Sequence, residues 1–446
     1  MLTINGYKIS KSLIDLHHIR GTLTVKPYVP SVFVNPRYVQ KYQVFNETSE
    51  DLYVPKHFGI EKFGIPTTAR EVPKTDDKFW KFTGALRPIQ EEVVSKFMLP
   101  EPHDGIISLQ TGGGKTVCGL WIASQLKLPT LILVHNTFLR DQWIDRIKAF
   151  LPSARIGSVQ GEILDIKHKD VIVCMLQSLA LREYPRETFK DIGLVIVDEC
   201  HHIASEAFSK SIPKITSKYM LGLSATPQRK DKLMYVINWF LGPLLYQSNT
   251  EDKIDSLVKV EYFEFEPPEK EFNEIIYNNQ GVMFTSLMIN KVVEYQPRNL
   301  FLKQILEDVY EEPNRNILVL TDRIEHTELL FKLLNPEMQE NTGILLSKLK
   351  QAEREKLMNT KRILIATYSM CREGFDLEKL NTLLLATSRP DVDQIVGRIL
   401  RIEKDKRKVE PLILDVVDPA FRRQFQERLS LYKSRKYVIE KTAFSS

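Results

Sequence analysis

Cysteine is scarce in this chain. Its four cysteines, Cys118, Cys174, Cys200 and Cys371, lie far apart in 446 residues, with no CxxC pair among them. That spacing argues against a disulfide framework and a structural zinc site, and reads as free thiols in a reducing compartment. The N-terminal MLTINGYKIS lacks the apolar core of a secretory signal, and no run of 18 apolar residues occurs anywhere. An intracellular, soluble protein with no membrane partner is expected. Internal repeats and low-complexity tracts are absent. Charge of one sign is also modest: the net charge is +5 with a pI near 8.7, which permits a polyanionic partner without demanding one.

What the chain does hold is ordinary enzyme composition, 43% hydrophobic and 27% charged, and length for two or three domains of roughly 150 residues each. Residues 1–80 are rich in aromatics, proline and β-branched residues, with strand-like alternation at Thr22–Val25 and Ser31–Val34. They carry no chemical motif and read as a small accessory α/β domain, a candidate DNA contact. From Phe82 short apolar runs recur, each followed by a helical stretch: Gly105–Leu109, Thr130–Val134, Asp170–Cys174, Leu194–Val197 and Met220–Leu223. A second series comprises Val258–Phe265, Asn316–Leu320, Thr342–Leu346, Arg362–Ala366, Thr382–Ala386 and Pro411–Asp415. Apolar strands alternating with helices predict parallel sheets covered on both faces, an α/β fold with two tandem sheets. Gly242-Pro243 and Pro267-Pro268 put the boundary near residue 245, giving domains 81–245 and 246–446. The tail from Ala420 reads as a basic amphipathic helix carrying Arg422, Arg423, Arg428, Lys433, Arg435, Lys436 and Lys441. Such a face is either solvated or in contact with phosphates.

Two patterns carry chemistry. After the strand at Gly105–Leu109 comes Gln110-Thr111-Gly112-Gly113-Gly114-Lys115-Thr116, then a helix. Glycines let the backbone curl so that N–H groups and the helix N-terminus face phosphate oxygens. Lys115 would reach the β- and γ-phosphates and the Thr116 hydroxyl would ligate magnesium. Leu109 stands where the strict phosphate-loop pattern has its first glycine. The second pattern is Asp198-Glu199-Cys200-His201-His202 after the strand Leu194–Val197. Acids at the carboxyl end of a parallel strand lie where such sheets bind ligands. Asp198 would hold magnesium and Glu199 would polarise the attacking water. A metal site built from Cys200, His201 and His202 is the bland alternative, disfavoured because consecutive residues rarely offer tetrahedral geometry.

TGGGKT, DECHH and Ser224-Ala225-Thr226-Pro227 resemble motifs I, II and III of superfamily 2 helicases, and Leu86-Arg87-Pro88-Ile89-Gln90 resembles the adenine-reading Q motif. Asn316–Leu330, Ile363–Leu377 and Gln394–Arg401 resemble motifs IV, V and VI, so the likeness covers residues 82–415 in the family order. It implies two RecA-like domains, ATP and Mg2+ as cofactors, and a nucleic-acid partner. Gln90 with Arg87 would read adenine, with Phe79, Trp80 or Phe82 stacking on it. The loop Thr111, Gly112, Gly113, Gly114 would cradle the phosphates, while Gly374 and Asp376 would approach the ribose. Gln394 would position the attacking water, and Arg398 and Arg401 would act as arginine fingers from the second domain. Ser224 and Thr226 would couple ATP state to the domain interface. Asn136, Gln177, Ser178 and Thr367 would touch the nucleic-acid backbone.

DECHH, and Gln394 where DEAD-box RNA helicases carry histidine, point away from the DEAD-box branch. The motif spelling is most similar to XPB-type and phage branch-migration (UvsW-like) DNA helicases. A monomeric DNA helicase acting on forked or branched DNA in replication, recombination or repair is therefore expected. A double-stranded DNA translocase that remodels protein–DNA complexes, an RNA helicase and an ATP-gated nucleic-acid-binding module are the alternatives. Lys404–Lys408 could be mistaken for a nuclear signal and reads instead as the turn after motif VI.

Overall fold

A computed structural model describes residues 1–28, 39–66, 71–72, 74–110, 112–185, 187–202, 206–225, 231–248, 258–267, 269–278, 281, 283–346, 348–372, 379–399 and 407–442. The chain divides into two compact units, residues 1–248 and 249–446. No helix among the described residues is long and apolar enough to cross a membrane.

The first unit is built on an eight-stranded sheet. Its order is Ile163–Asp165, Ile156–Gln160, Val171–Met175, Thr130–Val134, Leu194–Val197, Tyr219–Ser224, Gly105–Ser108, Leu244–Gln247. All pairs are parallel except the hairpin of Ile156–Gln160 with Ile163–Asp165. The uninterrupted apolar runs follow from burial on both faces, because successive strand residues point to opposite sides. Ile106, Leu131, Leu133, Val195 and Val197 enter one core layer. Ile107, Ile132, Val134, Leu194 and Ile196 enter the other, against Cys118, Leu120 and Trp143 of the covering helices Lys115–Leu126 and Thr137–Phe150.

Residues 1–80 add to these layers rather than forming a separate core. Leu2–Thr3, Gly6–Ser10, Asp51–Val54 and Asn46–Glu47 make an antiparallel sheet. Its Tyr7, Leu52 and the nearby Leu23 and Phe58 share one apolar cluster with Val236 and Leu241 of the helix Met234–Leu241. The Phe58 and Trp239 rings meet edge to face at 5.1 Å. The expected strand at Thr22–Val25 is shorter than its alternation suggested. Thr22 closes the helix Leu16–Thr22, which Asp15 caps by accepting the His18 N–H, and only Thr24–Val25 is extended. Ser31–Val34 lies outside the described residues.

The second unit carries a seven-stranded, wholly parallel sheet: Thr342–Leu345, Ile363–Thr367, Ile317–Thr321, Thr382–Leu385, Leu412–Val417, Lys259–Glu264, Val438–Lys441. The C-terminal tail departs from the solvated basic helix expected of it. The helix Arg422–Ser434 stops short, Lys436 turns the chain at φ +55°, and Val438–Lys441 joins the sheet edge. Arg428 and Arg435 are buried, and Lys441 pairs with Glu264 at 2.7 Å.

One buried ion pair ties the N-terminal segment to the large sheet. Lys56 Nζ lies 2.6 Å from Asp104 Oδ2 and donates to the carbonyls of Ser217 and Lys218. The other Asp104 oxygen accepts the Met220 N–H, and His57 Nε2 also reaches Asp104 at 2.8 Å. Burial alone would raise the Asp104 pKa, but the Lys56 charge and the His57 hydrogen bond outweigh it and hold it below the usual carboxylate range. A depressed folded-state pKa contributes stability that is present above the unfolded value, near 4, and is lost as pH falls through the folded one. Lys56→Met removes a partner from a buried charge and should cost about 3–5 kcal/mol. Its acid-unfolding midpoint, followed by circular dichroism, should move to higher pH than that of the wild type. An unchanged midpoint would show that the pair does not anchor this segment.

Candidate active site

The reactive groups converge at the carboxyl ends of the first sheet. Leu109 is buried, and its N–H donates to the Ser224 carbonyl, so the sheet runs one residue further than its ladder. That accounts for leucine at the position where the strict loop pattern has glycine. Gly112 and Gly114 then turn at φ +82° and +87°, backbone that only glycine adopts without strain. A Cβ on Gly114 would also lie 2.0 Å from Gln90 Nε2. Gln90 itself is buried: its Oε1 accepts the Arg87 N–H at 2.9 Å and its Nε2 donates to the Gly113 carbonyl. Arg87 donates to the Gly112 carbonyl at 3.1 Å. The Q-motif pair thus braces the glycine loop from outside the helix that begins at Lys115.

The next strand end supplies the acids. Lys115 Nζ sits 3.1 Å from Glu199 Oε1, and the other Glu199 oxygen lies 3.4 Å from His201 Nδ1. The same His201 nitrogen is 2.7 Å from Ser224 Oγ. A polar chain therefore runs Lys115–Glu199–His201–Ser224, joining the residues of motifs I, II and III. Glu199 has φ +46°, a left-handed conformation that costs a non-glycine residue of order 1–3 kcal/mol and that clusters at functional sites. Asp198 is buried and accepts the Trp143 indole N–H at 2.8 Å and the Glu199 N–H at 2.9 Å. Burial, and then the Glu199 charge, push its pKa up to about 6, against the opposing pull of Lys115. A buried carboxylate disfavoured in this way is suited to a divalent cation, and the positive-φ glycines ahead of a helix N-terminus suit phosphate. Lys115, Thr116, Asp198 and Glu199 therefore fit a magnesium nucleotide.

Cys200 is fully buried against Gly222, where a Cβ would come within 3.2 Å of its sulfur, and burial raises its thiol pKa. This thiol packs the core. Among the proposed adenine stackers, Trp80 is a core side chain with its indole N–H on Thr75 Oγ1, and Phe82 stacks on Phe150 at 5.5 Å. Phe79 lies under the Arg155 guanidinium, 4.1 Å from the ring centre. Trp80 is not placed to stack on a base, whereas Phe82 is half-buried with one face on Phe150. Two groups carry no motif that would mark them in the sequence. Trp143 holds Asp198, and His135, half-buried at the end of Thr130–Val134, lies where the Glu199 charge partly opposes its burial-lowered pKa. The signal lies in the strand order, since Thr130–Val134 pairs directly with Leu194–Val197.

The expected strand-contact residues have local duties. Asn136 caps the helix Thr137–Phe150 by accepting the Leu139 N–H at 2.8 Å. Gln177 is exposed and donates to the His135 carbonyl, while buried Ser178 accepts the Gly161 N–H. In the second unit, Thr367 Oγ1 faces Ser369 Oγ and accepts the Met370 N–H. Gln394 and Arg398 lie in the helix Asp393–Ile399. Thr111, Thr226, Gly374, Asp376 and Arg401 lie outside the described residues.

A glycine loop, a strand-end acid pair and a serine coupled through histidine, set on parallel sheets, define a RecA-like ATPase of helicase superfamily 2. Residues 83–229 match the family model described as "Type III restriction enzyme, res subunit". A protein of Acanthamoeba polyphaga mimivirus, provisionally named an ATP-dependent RNA helicase, is 35% identical over 99% of this chain and 86% of its own length. A provisionally named helicase of Invertebrate iridescent virus 6 is 28% identical over 81% of this chain and 83% of its own length. Among solved structures, S. cerevisiae Dbp5 bound to RNA and ADP BeF3 aligns with 79% of this chain and 89% of its own at 15% identity and a TM-score of 0.54, a likeness of fold. The crystal structure of T4 UvsW covers 97% of this chain and 96% of its own at 18% identity, with a TM-score of 0.37 that is too low to add to the argument. The chain belongs to the superfamily 2 helicase family of the mimivirus protein.

Ser224→Ala breaks the far end of the polar chain without touching the glycine loop. It should leave ATP affinity within about twofold, measured by titration with a fluorescent analogue, and lower the nucleic-acid stimulation of hydrolysis more than the basal rate. Equal loss of both rates would assign Ser224 a purely structural role.

Proposed function

We propose that this ATP-dependent helicase acts on DNA, unwinding or branch-migrating forked or branched duplexes. The observation that carries the motor reading is the chain Lys115–Glu199–His201–Ser224, which links the phosphate-binding lysine to the motif III strand. Lys115 and the loop N–H groups bind the triphosphate, and Glu199 orients the attacking water. Thr116 and Asp198 would hold Mg2+, which would neutralise charge during phosphoryl transfer. Gln394, Arg398 and Arg401 supply the remaining positioning and positive charge for phosphoryl transfer. Ser224 and Thr226 transmit the nucleotide state. Asn136, Gln177, Ser178 and Thr367 meet the backbone of the strand, and Gly374 and Asp376 meet the ribose of ATP.

The DNA reading rests on the spelling of DECHH and on Gln394 in motif VI. The name of the mimivirus relative favours a second reading, RNA unwinding. ATP hydrolysis compared over single strands, duplexes, forks and four-way junctions of DNA and RNA tests the choice. Forked or branched DNA should stimulate most; equal or greater stimulation by RNA overturns the substrate assignment. Strand- and triplex-displacement assays in parallel separate unwinding from translocation alone.

The catalytic assignments have their own test. Lys115→Ala should abolish turnover. Glu199→Gln should bind ATP and lose hydrolysis by about 10²-fold or more. Arg401→Ala should fall by roughly 10³–10⁵ if it acts as an arginine finger. Wild-type turnover in Glu199→Gln would remove the assigned acid.

A further inference from the structure

The C-terminal helix Arg422–Ser434 was expected to face solvent or phosphate with its basic residues. Two of those arginines instead point into the second unit. Arg428 is fully buried and grips Asp415 of the strand Leu412–Val417 with two hydrogen bonds of 2.8 Å, which Tyr432 reinforces at 2.9 Å. Its remaining nitrogen donates to Ser388 Oγ at 2.8 Å and to the Arg389 carbonyl at 2.7 Å. Arg435, which ends the helix, holds Asp393 Oδ1 at 2.6 Å.

These contacts fall on one short piece of chain. Ser388 and Arg389 come after the strand Thr382–Leu385, and Asp393 is the first residue of the helix Asp393–Ile399, which carries Gln394 and Arg398. The same piece is held from its other side. The Tyr368 hydroxyl donates to the Thr387 carbonyl, and Asp322 accepts from Thr387 Oγ1 and pairs with Arg389. Val392, Ile395, Val396 and Ile399 then pack in one apolar cluster with Tyr432 and Tyr437. The segment entering the motif VI helix is thus pinned at both ends by the C-terminal helix. Displacements of about 1 Å in a positioned group can cost on the order of 10² in rate.

We propose that Arg428 and Arg435 are positioning residues for hydrolysis: through Asp415, Ser388 and Asp393 the C-terminal helix sets the placement of the helix bearing Gln394 and Arg398. The proposal rests on the ATPase reading of the site and deepens it. Arg428 is too deeply buried to be a clean probe, so the test uses the Arg435–Asp393 pair in the full chain. Steady-state ATP hydrolysis at saturating forked DNA is compared for the wild type, Arg435→Gln, Arg435→Lys, Asp393→Asn, the double variant and Lys115→Ala, with melting temperature and DNA affinity measured alongside.

Arg435→Gln and Asp393→Asn should each lower kcat by about tenfold or more, with KM for ATP and DNA affinity within about twofold. Arg435→Lys should recover most of the rate. The double variant should be no worse than either single one, the mark of a coupled pair. Wild-type kcat in Arg435→Gln, or a loss confined to DNA affinity, overturns the proposal. If Arg435→Gln alone fails to fold, Asp393→Asn decides on the same criterion. Hydrolysis that survives Lys115→Ala overturns the reading of the site itself, whereas hydrolysis that needs Lys115 but ignores Arg435 removes only the positioning role.

Discussion

The parallel register of the first sheet sets where every reactive group of that unit lies. Leu221 stands opposite Gly105 and Leu194 opposite both Thr130 and Tyr219, so neighbouring strands finish almost level. Within about one residue of those ends the chain runs out of ladder partners. It must pass either into a glycine turn and helix, as at Gly112–Gly114, or into a polar turn such as Asp198–Glu199. The same ends bring His135 near Glu199 and Ser224 onto His201, although these residues are distant in sequence. A one-strand change in sheet order would leave the same motifs intact and the polar chain broken.

Charge is handled differently in the two units. Around Asp198 the structure tolerates a carboxylate that burial disfavours and a glutamate in left-handed backbone, both beside a lysine. Such groups are poised for a ligand that brings positive charge to Asp198 and negative charge to Lys115. In the second unit two buried arginines are each paired within the protein. Arg298 meets Asp418 with both side chains inaccessible, and its third nitrogen donates to the Ala386 carbonyl. Arg428 repeats the arrangement on Asp415. Fully paired buried ions add little net stability but are costly to break singly. Their effect is to hold the ends of Thr382–Leu385 and Leu412–Val417 in one geometry.

The fold class, and the residue types that gather at the carboxyl ends of the first sheet, were legible in the sequence. An apolar run buried on both faces has no other reading when it alternates with helices, and glycine–lysine and aspartate–glutamate pairs next to such runs are local signals. Thr130–Val134 and Leu194–Val197 have the bounds their apolar runs implied. Less regular strands were missed: Ile156–Gln160 alternates half-buried and buried residues, and Leu244–Gln247 and Val438–Lys441 are largely exposed edge strands.

Tertiary structure alone decided which polar side chains are internal. Arg428 and Arg435 look like any other basic residues of an amphipathic tail, because an arginine's burial depends on whether a carboxylate from elsewhere in the chain meets it. Asp415 and Asp393 do so, and neither lies at a helical spacing that could have announced the pairing. Trp80 is indistinguishable from Phe79 and Phe82 as a stacking candidate until the packing puts it in the core. Local pattern determined the strands, the turns and the reactive residue types. Long-range packing decided which of those residues face one another, since that depends on strand order and no short-range periodicity encodes it.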